Sequence, residues 1–395
     1  MKRCYRTGGS VTGALCIDEL RARARRRLPG FAFEYIDGGA EDEVTLRRNR
    51  QALESLAFVP DTLVDTTGRD CRKLLLGASA AAPLVVAPTG LNGIAWPGGD
   101  LALARAAAAE GIPFTLSTVS NARLEHVAAE ARGRRWFQLY LFENPAITLD
   151  LLERAATAGY EALLLTTDVH PVGGREWDRR NYRRPGQLRW SRWADAALHP
   201  RWVLGMLRAG GVPRFENVAD FLPPEARTAS GGATVFPGLM RSGISWDDLR
   251  WLRDRWRGPL IVKGIMHADD ARRASDAGCD GVVLTNHGGR QLDGCASPVE
   301  LLPEVVEAVG GRLTILIDSG FRRGTDVVKA LALGADAVML GRATLYGLAA
   351  GGELGARHAI ALLKSEILRT LGLLGCRSLD DLCPRLLRER GVNTP

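Results

Sequence analysis

What the chain lacks narrows its class. Its seven cysteines (Cys4, Cys16, Cys71, Cys279, Cys295, Cys376 and Cys383) are widely scattered, with no Cys-x-x-Cys pair and no matching histidine spacing. That argues against a disulfide framework and against a structural zinc site; no metal is expected, and a reducing cytosolic setting fits best. The basic opening MKRCYRTGGSVTG has no apolar stretch behind it, so no secretory signal is expected. No uncharged apolar run approaches the roughly 20 residues of a membrane span. Lysine is scarce, so the net charge of +7 is carried almost wholly by arginine.

What is present is a regular alternation. At 395 residues and 46% hydrophobic, the chain can bury a full core. Short apolar runs rich in β-branched residues recur at 83–90, 113–118, 136–141, 162–169, 260–265, 281–289, 314–320 and 337–342. Alanine-rich amphipathic stretches such as DLALARAAAAEG and GTDVVKALALG lie between most of them, several closed by a glycine suited to a helix C-cap. Eight strands with helical crossovers predict a (β/α)8 barrel, an α/β fold with a buried parallel sheet. A doubly wound sheet is the alternative, but the first strand lacks the G-x-G-x-x-G turn of a dinucleotide fold. The spacing predicts a helical N-terminal segment over 1–80, a barrel over 81–375 and a C-terminal arm over 376–395. One gap, between the fourth strand and its helix, is far too long for a βα connection and marks an insertion at 177–245.

In such a barrel the open mouth lies at the C-terminal ends of the strands. Polar residues fall there: Gln138 and Tyr140, Thr166 and Asp168, Lys263, then Asn286, His287 and Arg290, then Asp318 and Ser319, then Gly341 and Arg342. Each alone has a structural explanation, as a core histidine, a snorkelling lysine or a capping aspartate. Together, on strands whose bodies stay apolar, they predict a site. The glycine–arginine pairs in DSGFRRG and at Gly341-Arg342 occupy the loops where barrels commonly hold a phosphate. A phosphorylated cofactor there would reach toward Lys263, whose charge can stabilise an anionic ring. His287 and Arg290, with Asp168 to orient the imidazole, suit a base beside a bidentate carboxylate holder, and imply a small carboxylic acid substrate.

The stretches LTNHGGRQLDG, IVKGI, WFQLY, LTTDV, IDSGFRRGTDVVKALALGA and LGRATLYG resemble the FMN-dependent α-hydroxy acid oxidising enzymes, over about residues 28–375. EYIDGGAEDE, PTGLNGIAWPGGDLALARAA, GIPFTLST and LHPRW are similar to the membrane-associated, (S)-mandelate-oxidising branch. The resemblance implies FMN as cofactor and a catalytic set of His287 as base, Asp168 as its partner, Arg290 and Tyr140. It implies that Arg290, Arg175, Tyr35 and Tyr140 hold the substrate, and that Gly90 leaves room for an aryl group. For the flavin it implies Pro88, Thr89 and Gly90 beside the ring, and Ser117, Gln138, Thr166 and Lys263 at its polar edge. Asp318 would meet the ribityl chain, and Gly320, Arg322, Gly341 and Arg342 the phosphate. The family likeness implies a homotetramer. The reaction implied is oxidation of (S)-mandelate to benzoylformate, with L-lactate dehydrogenase or an O2-using hydroxy acid oxidase as the alternatives within the family. A noncatalytic membrane-surface module on a barrel scaffold is the alternative from a different class.

The insertion is the most basic part of the chain. Between Arg179 and Arg208 it holds eight arginines and one acidic residue, Asp195, with Trp190, Trp193 and Trp202 interleaved. Arginine with tryptophan suits an anionic lipid surface, with a solvated lid and a nucleic-acid patch as the other readings; the resemblance to the membrane-associated branch ranks the membrane first, the lid second and nucleic acid a distant third. The expected location is therefore cytoplasmic and peripheral, on the inner face of the cell membrane, with a membrane quinone as electron acceptor or oxygen as the rival. No nucleic-acid partner is expected.

Overall fold

The computed structural model describes residues 8–184 and 187–389. Cys4, the first seven residues of the N-terminal segment, residues 185–186 of the insertion and residues 390–395 of the C-terminal arm lie outside the described residues. At the centre stand eight strands: β1 (Leu84–Val86), β2 (Phe114–Ser117), β3 (Arg135–Leu139), β4 (Ala162–Thr166), β5 (Leu260–Ile265), β6 (Gly281–Leu284), β7 (Thr314–Ile317) and β8 (Ala337–Leu340). They form one closed barrel. Every pairing is parallel, and β8 closes on β1 with Val338 opposite Leu84 and Leu340 opposite Val86.

Period-two alternation sends successive side chains of each strand to the inside and the outside of the barrel. Val85, Trp136, Leu164, Ile261, Val283, Leu316 and Met339 pack together inside the barrel. Their neighbours Leu84, Val86, Phe137, Leu163, Leu165, Val262, Ile315, Ile317 and Val338 join the second, outer layer beneath the helices. Both faces are buried, which is why the strands read as continuous apolar runs. Each such side chain withdrawn from water contributes about 1.5–3 kcal/mol. A hairpin of Lys73–Leu75 and Ala78–Ala80 closes the floor, with Leu75 and Ala80 packed on the inner cluster.

The segment before the barrel is helical, with helices at Ile17–Arg27, Gly30–Asp37 and Val44–Ser55. The Tyr346 hydroxyl donates to Asp37 Oδ1 at 2.6 Å, pinning the second helix beside the mouth. At the other end of the chain, Leu387–Glu389 pairs antiparallel with Leu56–Phe58, so the C-terminal arm returns to the N-terminal segment.

After β4 the insertion makes a short hairpin (Tyr182–Arg184 with Gln187–Leu188) and helices at Trp190–Ala197, Pro200–Arg208 and Ala229–Leu239. Among the described residues no helix is long and apolar enough to cross a membrane. The three tryptophans of the basic stretch do not act alike. Trp190 and Trp193 are 77% and 56% exposed. Trp202 instead turns inward: its indole donates to the Ile94 carbonyl at 2.8 Å and its ring meets Phe31 edge-on at 5.6 Å. Its place in the arginine-rich stretch suggested a surface role, but tertiary packing makes it the anchor that ties the insertion to the N-terminal segment.

Candidate active site

The turn after β6 sets the geometry. His287, Gly288 and Gly289 follow one another with φ of 56°, 66° and 72°. A left-handed histidine is uncommon and is held only where its surroundings impose it. Here its backbone N–H donates to Thr285 Oγ1 at 2.9 Å. The glycines are forced: a Cβ on Gly289 would stand 2.7 Å from the backbone nitrogen of Leu46, and one on Gly288 would stand 2.6 Å from the Arg342 guanidinium. The turn swings the imidazole over the barrel mouth, where Nδ1 lies 3.0 Å from Asp168 Oδ1 at the end of β4. With Nδ1–H donated to the carboxylate, Nε2 is the nitrogen left for chemistry.

Lys263, buried within β5, sits between two carboxylates, with Nζ 3.8 Å from Asp168 and 3.5 Å from Asp318. Burial works against the ammonium, but those two charges outweigh it and raise its pKa. Burial would likewise raise Asp168, yet Lys263 and His287 beside it hold its carboxyl at about 2. Burial lowers the His287 pKa, and Lys263 and Arg175 add to that while Asp168 opposes it. A neutral imidazole paired with a permanent carboxylate is the charge state of a general base. Burial and the Asp168 charge both raise the Tyr140 phenol, so it remains a neutral donor.

The positive charge at the mouth is not balanced. Arg290 donates to the Gly38 carbonyl at 2.8 Å and lies 5.4 Å from the centre of the Tyr35 ring. Burial, then Arg175, then Arg342 push its pKa down. Arg175 itself donates to the Arg290 carbonyl at 3.2 Å and to Gln291 Oε1 at 3.0 Å. Half-buried guanidiniums that repel one another favour an anion between them.

These groups surround one cavity of about 340 Å³. Of the predicted site residues, Tyr35, Pro88, Thr89, Gly90, Ser117, Tyr140, Arg175, Lys263, His287 and Arg290 line it, and so do Asp318, Gly320, Arg322, Gly341 and Arg342. Asp168, Gln138 and Thr166 sit behind the wall rather than on it. The Tyr35 hydroxyl donates to the Gly90 carbonyl at 3.2 Å, joining the N-terminal segment to the end of β1. A Cβ on Gly90 would stand 2.4 Å from Val119 Cγ2, so the room at this position is bounded by Val119.

The donors expected of a flavin site are present. Gln138 Nε2 and Thr166 Oγ1 are buried without a hydrogen-bond partner, an arrangement that costs about 1–3 kcal/mol per group unless a ligand supplies the partner. A Cβ on Gly341 would meet nothing within 4 Å, so the backbone there is open to a close-lying group. Together with Lys263, these observations fit the polar edge of a flavin ring. Arg342, however, aims its donors at the carbonyls of Ile36, Gly288 and Gly38, at 3.0, 2.8 and 2.7 Å. Arg322 rests against the Tyr346 ring, 5.4 Å from its centre.

Sequence reasoning did not find the apolar side of the cavity. Phe215, Phe236, Pro237 and Met240 of the insertion also line it. The Phe215 and Phe236 rings stack at 5.3 Å. Both phenylalanines lie outside any periodic run, and no local signal places them there.

A parallel barrel carrying a carboxylate-supported histidine, a buried lysine and a cationic carboxylate pocket defines a class of oxidative enzyme working on a bound ring. The model of the FMN-dependent dehydrogenase family matches residues 24–389. The chain is 45% identical to the (S)-mandelate dehydrogenase of Pseudomonas putida, over 95% of this chain and 94% of that one. It is 42% identical to an L-lactate dehydrogenase of Caulobacter vibrioides, over 94% of this chain and 97% of that one. A crystal structure of a monotopic membrane protein, (S)-mandelate dehydrogenase, superposes with a TM-score of 0.91 at 44% identity, covering 95% of this chain and 100% of that one. The chain belongs to the FMN-dependent dehydrogenase family.

The charge arrangement predicts a pH signature. Because burial lowers the His287 pKa, the acid limb of kcat/KM should fall below the usual imidazole value of about 6.5. Asp168→Asn removes the charge that opposes this, so the limb should move to still lower pH while kcat falls by ~100-fold or more. A pH–rate profile of both proteins checks this; an acid limb that rises or stays put in the variant contradicts it.

Proposed function

We propose that the protein oxidises a 2-hydroxy acid, (S)-mandelate, to the 2-oxo acid benzoylformate. The observation that carries this reading is the pairing, within one cavity, of a cationic carboxylate holder with an aromatic wall. Arg290 and Arg175 take the substrate carboxylate, with Tyr35 beside them. Tyr140 holds the hydroxyl as a neutral donor. His287 Nε2 accepts the proton released as the alcohol becomes a ketone, and Asp168 stabilises the imidazolium that results. FMN, when bound, supplies the two-electron acceptor. Pro88, Thr89, Gly90, Ser117, Gln138 and Thr166 would hold its ring, Lys263 the charge on its polar edge, Asp318 the ribityl chain, and Gly320, Arg322, Gly341 and Arg342 its phosphate.

The phenyl group belongs against Phe215, Phe236 and Met240. Burying a phenyl rather than a methyl group there favours mandelate over lactate by about 3 kcal/mol, or ~100-fold in kcat/KM. L-lactate is the second reading, favoured by the L-lactate dehydrogenase relative at 42% identity. Purified holoenzyme mixed under nitrogen with each acid separates the two. We expect (S)-mandelate to bleach the visible flavin bands about 100-fold more efficiently than L-lactate; the opposite order establishes the lactate reading.

The protein is proposed to lie on the inner face of the cell membrane, cytoplasmic in sequence type, as a homotetramer, passing electrons to a membrane quinone rather than to oxygen. The solved (S)-mandelate dehydrogenase with TM-score 0.91 is a monotopic membrane protein. In this chain Trp190, Trp193, Leu198, Leu204 and Leu207 are exposed on the same basic helical stretch. Each arginine near an anionic surface contributes about 1 kcal/mol. Deleting residues 180–210 should abolish cosedimentation with anionic vesicles while the flavin is still reduced by substrate; continued cosedimentation contradicts the assignment of this segment.

A further inference from the structure

A second cavity, of about 490 Å³, lies between the helix Ile17–Arg27 and the start of the insertion helix Pro200–Arg208. Arg23, Arg26, Arg27 and Arg201 line it. Arg23 is the telling residue. It is only 8% exposed, yet its Nε has no hydrogen-bond partner, while Nη1 donates to the Ser10 carbonyl. An idle donor on a buried guanidinium carries a desolvation cost that an anionic ligand in the cavity would offset. Among the described residues Arg23, Arg27 and Arg201 have no carboxylate partner. Asp195, the acidic residue of the basic stretch, is engaged elsewhere: its Oδ2 accepts the Gly30 backbone N–H at 2.6 Å. Burial, and then the charge of Arg201, lower the Arg27 pKa, which places these two cations within reach of one another.

A third cavity, of about 310 Å³, shares Arg27 and Arg201 with the second and continues past Trp96, Pro97, Trp202 and Gly205. Arg27 lies flat over Trp96, 4.0 Å from the ring centre. One side of the arginine pair is therefore a cationic cleft and the other an apolar groove. That combination matches an amphiphile with a phosphate head: bidentate guanidiniums for the phosphate and aromatic and aliphatic surface for the first part of the chain. Exposed Leu204 and Leu207 sit on the same helix, at 47% and 68% exposure, so the groove opens beside the surface proposed to meet the bilayer.

We propose that the cleft formed by Arg23, Arg27 and Arg201 is a stoichiometric site for the phosphate headgroup of an anionic phospholipid, with its apolar portion in the neighbouring groove. The surface attachment proposed above needs only diffuse charge on the insertion. This site goes further, because two of its three arginines come from the N-terminal helix, outside the insertion, and it would clamp that helix and the insertion together.

The test titrates holoenzyme with short-chain, monodisperse phosphatidylglycerol by calorimetry, so that no bilayer is needed and failure of membrane attachment is read separately by the vesicle experiment. We expect one site per chain. The double variant R27Q/R201Q should bind at least about tenfold more weakly, as loss of two phosphate-directed guanidiniums requires. R183Q/R184Q, which removes the same charge from the hairpin, should stay within about twofold of the parent. FMN content and thermal midpoint establish that both variants are folded. Absence of saturable binding, equal weakening in the two doubles, or inorganic phosphate binding as tightly as the lipid would each overturn the proposal, the last by assigning the cleft to free phosphate.

Discussion

The structure depends on positive charge buried at the barrel mouth without enough negative charge to balance it. Lys263 is matched by Asp168 and Asp318. Arg290 and Arg175 donate hydrogen bonds only to carbonyl and amide oxygens, and the carboxylate that acts on both from a distance, Asp178, is itself pushed toward its neutral form by burial. In a low-dielectric interior such an imbalance costs several kcal/mol, and it persists only where a ligand removes it. Lys263 and His287 hold Asp168 ionised, and burial, aided by Lys263 and Arg175, keeps His287 neutral, so Arg175 both faces the carboxylate and helps set the base. Binding and proton transfer are thus two consequences of one electrostatic arrangement.

The barrel makes that arrangement possible by separating duties. The strand bodies supply rigidity through two close-packed layers, and the chemistry is carried by residues in the last turns of the strands and the loops after them. Elements outside the barrel finish the site: the N-terminal segment brings Tyr35, and the insertion brings Phe215, Phe236 and Met240. The charged groups of the cavity are therefore barrel-built, and the insertion adds an aromatic patch to an apolar lining that the barrel also supplies. Substrate size can change with the insertion while the proton chemistry stays in place.

Much of this was legible in the sequence, for a physical reason. A strand buried on both faces must be apolar, so all eight barrel strands announce themselves, and any polar residue at their ends stands out. His287, Lys263 and Asp318 could be found that way. Tyr35 could not: it comes from a helix outside the barrel, and only family resemblance pointed to it. The roles of Trp202, Val119 and the Phe215–Phe236 stack were also hidden, because they arise from contacts between residues far apart in the chain. Composition grouped Trp202 with Trp190 and Trp193, and only packing distinguishes an anchor from an exposed ring. Gly90 shows the same limit, since its room depends on where Val119 lies.

The central claim is that Arg290 is a buried cation waiting for a carboxylate. The most direct measurement is the affinity of phenylacetate, which keeps the ring and carboxylate but cannot react, read from its perturbation of the flavin spectrum in the parent and in Arg290→Met. Losing one partner of a buried charge pair costs about 2–5 kcal/mol, so phenylacetate should bind at least ~30-fold more weakly to the variant, while the neutral phenylacetamide should bind both alike. Equal affinity of the two proteins for phenylacetate would contradict the account.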